Sequence, residues 1–298
     1  MRLILLLSVA VFAQPRKVVL SIDDLPRGGD NRNANSIEEV TAMTKKLVGH
    51  LKGTNAIGFV NSGRLPELGE KGLQDVLKIW VDGGLDLGNH TYSHPDISNV
   101  STPEYCADIA RAEPAIQKAL NGRKPLYFRH PFLRTGKTKE AKEGHEECLR
   151  VMGYEIAPVT LDNSDYVFAA VYGRGDDAMK ARVRREYIDF MDRIFAFFEG
   201  RSLEAFGRPI AHVLLLHANQ LNADTMPELL AMMRKRGYEF VSLKEAMADP
   251  AYRTADNHLG QYGPSWLHRW AATKGVPKKF EPDEPAWIME EFKKLQAR

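Results

Sequence analysis

Residues 17–26 read Lys17-Val18-Val19-Leu20-Ser21-Ile22-Asp23-Asp24-Leu25-Pro26, an apolar run that ends in two carboxylates and a proline. Its β-branched and leucine content over this length predicts a buried strand of a parallel sheet. Ligands of α/β folds sit at the carboxyl ends of such strands. Because successive side chains on a strand point to opposite faces, we expect Asp23 and Asp24 to be aimed differently. Taken alone, the run is equally compatible with a strand that ends in an Asx turn.

Strands and amphipathic helices alternate from this run onward, which favours an α/β fold with a parallel sheet closed or nearly closed into a barrel. Further strands are predicted at residues 56–60, 85–88, 126–128, 156–161, 210–216 and 239–241. Helices are predicted after the capping box Ser36-Ile37-Glu38-Glu39 and at residues 73–81, 103–120, 139–152, 176–199, 226–236 and 243–248. Pro227 is expected near the start of its helix.

The composition is that of a globular protein with one large domain. The chain has 298 residues, of which 44% are hydrophobic and 27% are charged. The formal net charge of +2 gives no reason to expect a nucleic-acid or anionic-membrane partner. Residues 16–250 hold the strand and helix alternation. Residues 251–298 are rich in tryptophan and proline, and we expect an ordered extension that packs on the barrel. A tail that covers the barrel surface is the favoured interpretation, and a position near a substrate groove is the alternative.

The amino terminus predicts export to the periplasm or the extracellular space. Arg2 precedes an apolar segment too short to span a bilayer, and small residues follow it, so residues 1–13 are interpreted as a signal peptide. A buried first strand and an uncleaved anchor are the alternatives. No other segment is apolar enough for stable membrane insertion. The two cysteines, Cys106 and Cys148, fit either a disulfide or two buried thiols.

A histidine pair follows the third predicted strand, in the segment His90-Thr91-Tyr92-Ser93-His94. At this spacing, one helical turn would place both imidazoles on the same side. Two histidines and one carboxylate form a metal site that leaves positions open for water and substrate. Zinc is the usual metal for hydrolytic chemistry, although the same ligands hold cobalt, nickel or iron. An isolated pair of this kind also fits a turn with solvated imidazoles.

Other strand ends carry further polar residues, and in a parallel sheet these ends share one face. His217 ends the most apolar strand, where it fits a general acid aimed at that face. Asp165 would raise the pKa of that imidazole. Arg129 would orient one of the paired carboxylates, although a surface ion pair is its simpler interpretation.

Assembled in this way, the chain resembles the polysaccharide deacetylases, which form carbohydrate esterase family 4 and share a distorted (β/α) barrel, the NodB-homology domain. The resemblance covers about residues 16–245 and touches all five family motifs in order. The matching segments are Ser21-Ile22-Asp23-Asp24, His90-Thr91-Tyr92-Ser93-His94, Arg129-His130-Pro131-Phe132, Asp162-Asn163-Ser164-Asp165-Tyr166 and Leu215-Leu216-His217. One such motif is weak evidence, whereas five in order, each at a strand end, are specific.

The resemblance implies a role for each matched residue. One divalent metal ion, by default Zn²⁺ with Co²⁺ or Ni²⁺ also compatible, would be bound by Asp24, His90 and His94. Asp23 would act as general base and be positioned by Arg129. His217 would act as general acid and be supported by Asp165. The oxyanion would be held by the metal and by a backbone N–H near Phe132. Substrate contacts would come from Pro131, Phe132, Tyr166 and Leu215.

The implied activity is metal-dependent hydrolysis of N-acetyl groups on a glycan of the chitooligosaccharide or peptidoglycan type. Three features depart from the family pattern: Ser21 and Ile22 replace Thr and Phe, Tyr166 replaces Trp, and residues 167–208 form a long helical insertion. The sequence therefore leaves two alternatives open, hydrolysis of another linear amide or an O-acetyl ester and a catalytically silent glycan-binding barrel. A phosphoaspartyl site ranks low because it leaves the histidine pair without a role.

Overall fold

The computed structural model describes residues 16–30 and 36–297; the interpreted signal peptide, residues 1–13, lies outside them. Seven strands in this part of the chain form one parallel sheet. They are β1 (Arg16–Leu25), β2 (Ile57–Val60), β3 (Asp86–Asn89), β4 (Tyr127–Phe128), β5 (Glu155–Ile156), β6 (His212–His217) and β7 (Tyr238–Phe240). The order is β5-β4-β3-β2-β1-β6, and β7 pairs with the beginning of β1.

Ten α-helices in the described residues surround this sheet. They are α1 (Ile37–Leu51), α2 (Gly69–Asp82), α3 (Thr102–Ala119), α4 (Lys139–Val151), α5 (Asp165–Tyr172), α6 (Asp177–Phe206), α7 (Gln220–Lys235), α8 (Leu243–Met247), α9 (Trp266–Thr273) and α10 (Ala286–Gln296). Short 3₁₀ turns occur at Pro66–Leu68, Pro131–Leu133 and Pro250–Arg253. None of the described helices combines the length and hydropathy needed to cross a membrane.

The sheet curls into a distorted barrel, so the predicted fold class is confirmed. The segment after β5 reaches β6 on the far side, where Leu161 forms a bridge with Leu214. The N–H of Leu161 donates to the carbonyl of Val213 at 3.1 Å, and the N–H of Leu215 donates to the carbonyl of Leu161 at 3.1 Å. These bonds join the two ends of the sheet order through an irregular segment.

Strand β1 pairs with β2, β6 and β7 and is buried on both faces. Val18, Leu20 and Ile22 pack in the main core beneath the helices. Val19 packs in a separate cluster with side chains of β2 and β6, on the opposite face. Full burial of each such side chain stabilises the fold by about 1.5–3 kcal/mol. The position of the carboxyl end of β1 is therefore fixed by the core.

Several predicted elements differ from the observed ones. Residues 156–161 were expected as one strand, but regular pairing ends at Ile156, and only Leu161 returns to the sheet. The insertion forms two helices: α5, which the spacing did not indicate, and α6, which is longer than predicted. Helix α7 begins at Gln220, so Pro227 lies inside it rather than near its start. Apolar periodicity locates a buried face but cannot locate a terminus that a side-chain cap sets, as Asn219 does here.

The two cysteines are joined in a disulfide, which settles the alternative that the sequence left open. It connects α3, which contains Cys106, to α4, which contains Cys148, with a Cα–Cα distance of 6.2 Å. The two helices pack on each other, with α3 against β3 and α4 against β5. The disulfide therefore stabilises the side of the barrel from which the loops after β3 and β4 emerge.

Candidate active site

The carboxyl end of β1 contains a bulge that turns two adjacent carboxylates toward the same place. Ile22 pairs with Gly58 and Leu25 pairs with Val60, so β1 contains one residue more than β2 between these two pairs. Asp24 has a left-handed backbone with φ 65°. His90 Nε2 lies 3.9 Å from an Asp23 oxygen and 3.6 Å from an Asp24 oxygen. Regular alternation, which predicted opposite orientations, is wrong here because the bulge adds a residue and rotates the strand.

The histidine pair lies in a loop, not in the helical turn that the spacing suggested. Thr91 and His94 both have positive φ, 74° and 56°, which a helix does not allow. The Asn61 amide donates to the carbonyl of His90, and the N–H of His94 donates to the Thr91 hydroxyl at 3.0 Å. These bonds fold the loop back on itself. The two imidazole rings meet edge to face with centroids 5.0 Å apart.

Asp24, His90 and His94 form a cluster with the donor set of a metal site. One ligand atom from each lies within 4.8 Å of the others. The Asp24 oxygen nearest the cluster, Oδ1, is 3.4 Å from His94 Nε2, is buried and has no hydrogen-bond donor. A buried carboxylate oxygen without a donor is costly unless a cation or water satisfies it. The three side chains therefore fit a divalent cation.

The protonation of this cluster also fits a cation. His90 Nδ1 lies 2.7 Å from the carbonyl of Arg129, a distance at which Nδ1–H donates and leaves the Nε2 lone pair facing Asp24. Burial lowers the pKa of both His90 and His94, which favours the neutral imidazoles that metal ligands require. Burial alone raises the pKa of Asp24, but His94 and then Arg64 outweigh it and hold the pKa below its ordinary value.

Arg129 binds the other carboxylate. It is fully buried, and its Nη1 lies 3.1 Å and 3.3 Å from the two oxygens of Asp23. Its Nη2 donates to the Ser21 hydroxyl at 3.0 Å, and its Nε donates to the Ala157 carbonyl at 2.9 Å. The simpler interpretation, a surface ion pair, is wrong because the guanidinium lies inside the barrel. Burial raises the pKa of Asp23 to about 6, and Arg129 opposes this rise.

His217 lies beside Asp23, because the register of β1 and β6 pairs these two residues directly. Its Nδ1 lies 2.7 Å from Asp165 Oδ1, and its backbone N–H donates to Asp165 Oδ2 at 2.8 Å. Asn222 also donates to Oδ2, at 2.7 Å. Burial lowers the pKa of His217, but the fully buried Asp165 carboxylate outweighs it, and the pKa rises to about 10. His217 is therefore an imidazolium whose Nε2–H is available at neutral pH.

Asp23, Asp24, His90, His94 and His217 line an open cavity of about 720 Å³, whereas Arg129 and Asp165 are buried and do not line it. Of the predicted substrate contacts, Phe132, Tyr166 and Leu215 line it, whereas Pro131 is buried and does not. The Phe132 ring packs 4.6 Å from the ring of His94. Tyr166 lies edge-on to His217 at 6.4 Å. We call this space the site cavity.

Sequence reasoning missed several contributors to the site cavity, among them Arg64, Gly28 and Phe292. Arg64 Nη1 lies 3.1 Å from Asp24 Oδ2, so a cation contacts the carboxylate of the cluster. Gly28 approaches so closely that a Cβ there would lie 2.3 Å from the Cβ of Asp24. Phe292 comes from α10 and meets Tyr166 at a centroid distance of 6.0 Å. In the sequence, only the positions of Arg64 and Gly28 shortly after predicted strands could have indicated a role at the site. Nothing in the sequence around Phe292 indicated one.

The C-terminal extension therefore does more than cover the barrel surface. Gly263, Phe292 and Gln296 line the site cavity, although the sequence favoured a tail that only packs on the outside. Helix α9 packs on α6, and α10 packs on α5. The tryptophan content indicated that the extension would pack on the barrel, but composition could not show which surface the extension would meet.

Comparison with known proteins agrees with this geometry. Residues 12–147 match the family model described as polysaccharide deacetylase. The chain is 24% identical over 201 residues to a chitin deacetylase of Arthroderma benhamiae, covering 67% of this chain and 45% of that protein. It is 27% identical over 155 residues to a chitin deacetylase of Colletotrichum lindemuthianum, covering 51% and 54%. The chain spans about half the length of these curated relatives.

Solved structures share the fold. The chitin deacetylase of Colletotrichum lindemuthianum superposes with a TM-score of 0.54 at 21% identity, covering 80% of this chain and 91% of that one. A pseudoenzyme of carbohydrate esterase family 4 from Bacillus anthracis superposes with a TM-score of 0.50 at 16% identity, covering 78% and 66%. The motifs, the family match over residues 12–147 and the fold all show that this chain is similar to the polysaccharide deacetylases.

Proposed function

We propose that this protein is a metal-dependent hydrolase that removes N-acetyl groups from an N-acetylated glycan. The observation that carries the proposal is the direct pairing of Asp23 with His217 across β1 and β6, next to the cluster of Asp24, His90 and His94. A carboxylate and an imidazolium beside one candidate metal site are the acid–base pair that amide hydrolysis needs. The relatives named chitin deacetylase support the substrate class.

In this proposal Asp23 is the general base. Arg129 holds both of its oxygens and fixes the carboxylate toward the site cavity. Asp23 would take a proton from the attacking water as the water oxygen bonds to the acetyl carbonyl carbon. The amide C–N bond then breaks. To accept that proton, the Asp23 carboxylate must be ionised. The contact with the Arg129 guanidinium favours the ionised form.

His217 is the proposed general acid. Because Asp165 accepts from its Nδ1, the imidazolium presents Nε2–H to the cavity. That proton would pass to the nitrogen of the leaving amine, so that the products are acetate and a free amino sugar. The oxyanion would be held near the backbone N–H of Phe132, whose residue has φ 55° and ψ 17° in the turn Pro131–Leu133.

Asp24, His90 and His94 would hold the divalent metal, for which Zn²⁺ is the proposed occupant and Co²⁺ or Ni²⁺ the alternatives. When bound there, the cation would polarise the acetyl carbonyl and lower the pKa of water. Arg64 holds the second oxygen of Asp24, which leaves Oδ1 directed at the cluster.

Two other functions fit parts of the geometry. An O-acetyl ester or another linear amide would use the same acid and base. A catalytically silent glycan-binding barrel is the other candidate, because the pseudoenzyme from Bacillus anthracis has the same fold. The presence of all five side chains, Asp23, Asp24, His90, His94 and His217, favours catalysis over binding alone.

An acetate-release screen tests the proposal. Purified protein loaded with Zn²⁺ is incubated with chitooligosaccharide, peptidoglycan and acetylated xylan, and acetate is measured for the wild type and for Asp23→Asn. We expect release from an N-acetylated glycan by the wild type and a loss of about 10²-fold or more in the variant. Release from xylan alone would favour the esterase. Equal release by both proteins would contradict the proposed base.

We also propose that the protein is exported. The support is the segment interpreted as a signal peptide, together with the Cys106–Cys148 disulfide, which is typical of an oxidising compartment. Fractionation of cells that express the full chain, with N-terminal sequencing of the product, tests this. A product that retains Met1 and remains in the cytosol would contradict it.

A further inference from the structure

A second cavity opens beside the site cavity, between the barrel and the C-terminal extension. Its volume is about 910 Å³, and we call it the C-terminal cleft. Phe132 and Gly263 line both cavities, so the two share a wall. Phe132 touches the ring of His94 and is 51% exposed. Phe132 therefore lies between the C-terminal cleft and the candidate metal cluster.

The cleft collects exposed apolar side chains. Among the described residues, eight large hydrophobic side chains are exposed, and four of them line this cleft: Phe132, Leu259, Tyr262 and Phe280. Tyr262 and Phe280 are each 74% exposed. Single exposed apolar residues need no explanation, but a group that lines one groove marks a binding surface. Such a concentration next to a catalytic cavity points to a ligand that extends beyond that cavity.

The walls of the cleft are held in place, so the cleft exists before a ligand arrives. Arg269 in α9 is buried and donates to the carbonyl of Leu133 and to Asp256, the latter at 2.9 Å. The N–H of Trp266 donates to the carbonyl of Val159 at 2.6 Å. A Cβ on Gly263 would lie 2.2 Å from the carbonyl oxygen of Phe132. The extension is therefore packed directly against the turn that carries Phe132.

The chemistry of the cleft suits a sugar chain better than a lipid or an apolar helix. The lining combines aromatic rings with side chains that can hydrogen-bond to hydroxyls, among them Asn257, Thr273 and Glu281. The Lys278 ammonium lies 4.5 Å from the centroid of the Phe280 ring, so a hydrogen-bond donor stands next to this apolar ring. A few placed polar groups among apolar walls are typical of small-molecule sites. Flat rings with polar neighbours match sugar rings, which have apolar faces and polar edges.

We propose that the C-terminal cleft binds the sugars that adjoin the residue placed at Asp24, His90 and His94, with Tyr262 and Phe280 as stacking platforms. This inference rests on the proposed function for the identity of the chain, a glycan of N-acetylglucosamine type. It adds that the extension makes binding depend on chain length. A short oligosaccharide fills the site cavity alone, whereas a longer one passes Phe132 and reaches both platforms.

The experiment measures binding without turnover. Full-length protein carrying Asp23→Asn is titrated by calorimetry with chitobiose and with chitohexaose, with and without the pair Tyr262→Ala and Phe280→Ala. Val151→Ala is the matched control, because Val151 is 70% exposed and lines neither cavity. Thermal melts by circular dichroism show whether each variant folds.

We expect the double variant to weaken chitohexaose binding about tenfold, which is about 1.4 kcal/mol, and to leave chitobiose binding unchanged. Equal affinity of the parent for both sugars would overturn the inference. An equal loss for both sugars, or no loss, in the double variant would also overturn it. The acetate assay of the wild type tests the catalysis separately. If no glycan releases acetate but binding still depends on chain length, the proposed catalysis is wrong and the proposed role of the cleft stands.

Discussion

Asp165→Asn separates the electrostatic role of Asp165 from its place in the fold, because the side chain keeps its shape and loses its charge. Two N–H groups, from His217 and Asn222, point at Oδ2. The amide oxygen of the variant must face these donors, so its NH₂ group faces Nδ1 of His217. That nitrogen must then accept a hydrogen bond, and the imidazole carries its proton on Nε2 as a neutral ring.

The cost follows from the lost imidazolium. Asp165 raises the pKa of His217 to about 10 against an ordinary value of 6.5, so the wild-type ring is charged at neutral pH. In the variant the pKa falls, because burial is no longer opposed and an NH₂ group meets Nδ1. A positioned general acid contributes about 10²–10⁴ in rate, which corresponds to about 2.7–5.5 kcal/mol. We expect kcat to fall by that factor and KM to change little.

The assay is acetate release from chitooligosaccharide across pH, with the imidazole signals of His217 followed by NMR. The wild type should keep its protonated acid up to about pH 10, and the variant should lose activity at lower pH. Asp224→Asn is the matched control, because Asp224 accepts bonds from Lys46, Tyr172 and Gln220 and lines neither cavity. A folded Asp165→Asn protein with kcat within about threefold of the wild type would refute the proposed acid.

Three further predictions concern the other site residues. Arg129→Leu leaves Asp23 buried without its cation and should lower the free energy of unfolding by about 3–5 kcal/mol; denaturation that gives less than about 1 kcal/mol would contradict the buried pair. Gly28→Ala places a Cβ against Asp24 and should weaken zinc binding in a calorimetric titration, whereas Gly49→Ala, where a Cβ meets no atom within 4 Å and φ is not positive, tests the glycine substitution alone; equal zinc affinity of the two variants would contradict the close approach of Gly28 to Asp24. Zn²⁺ at about 100 times its dissociation constant should stabilise the fold by about 2.7 kcal/mol, and His94→Ala should remove most of that gain; equal melting curves with zinc and with chelator would argue against a metal site.

The sequence by itself determined the fold class and much of the site. Strand and helix periods depend on local side-chain pattern, so the alternation around residues 17–26 was enough to predict the parallel sheet. The carboxyl ends of parallel strands share one edge, which is why Asp23, His90, Arg129 and His217 could be placed together before any contact was known.

The tertiary structure decided how these side chains point. Asp24 joins the histidines because a bulge interrupts β1, and His94 does so because a loop replaces the expected helical turn. Both depend on pairing with β2 and on bonds from residues distant in sequence, such as Asn61. Packing of the extension on the barrel brings Phe292 to the site cavity and Tyr262 to the C-terminal cleft. An amphipathic pattern specifies that a face is buried without specifying its partner.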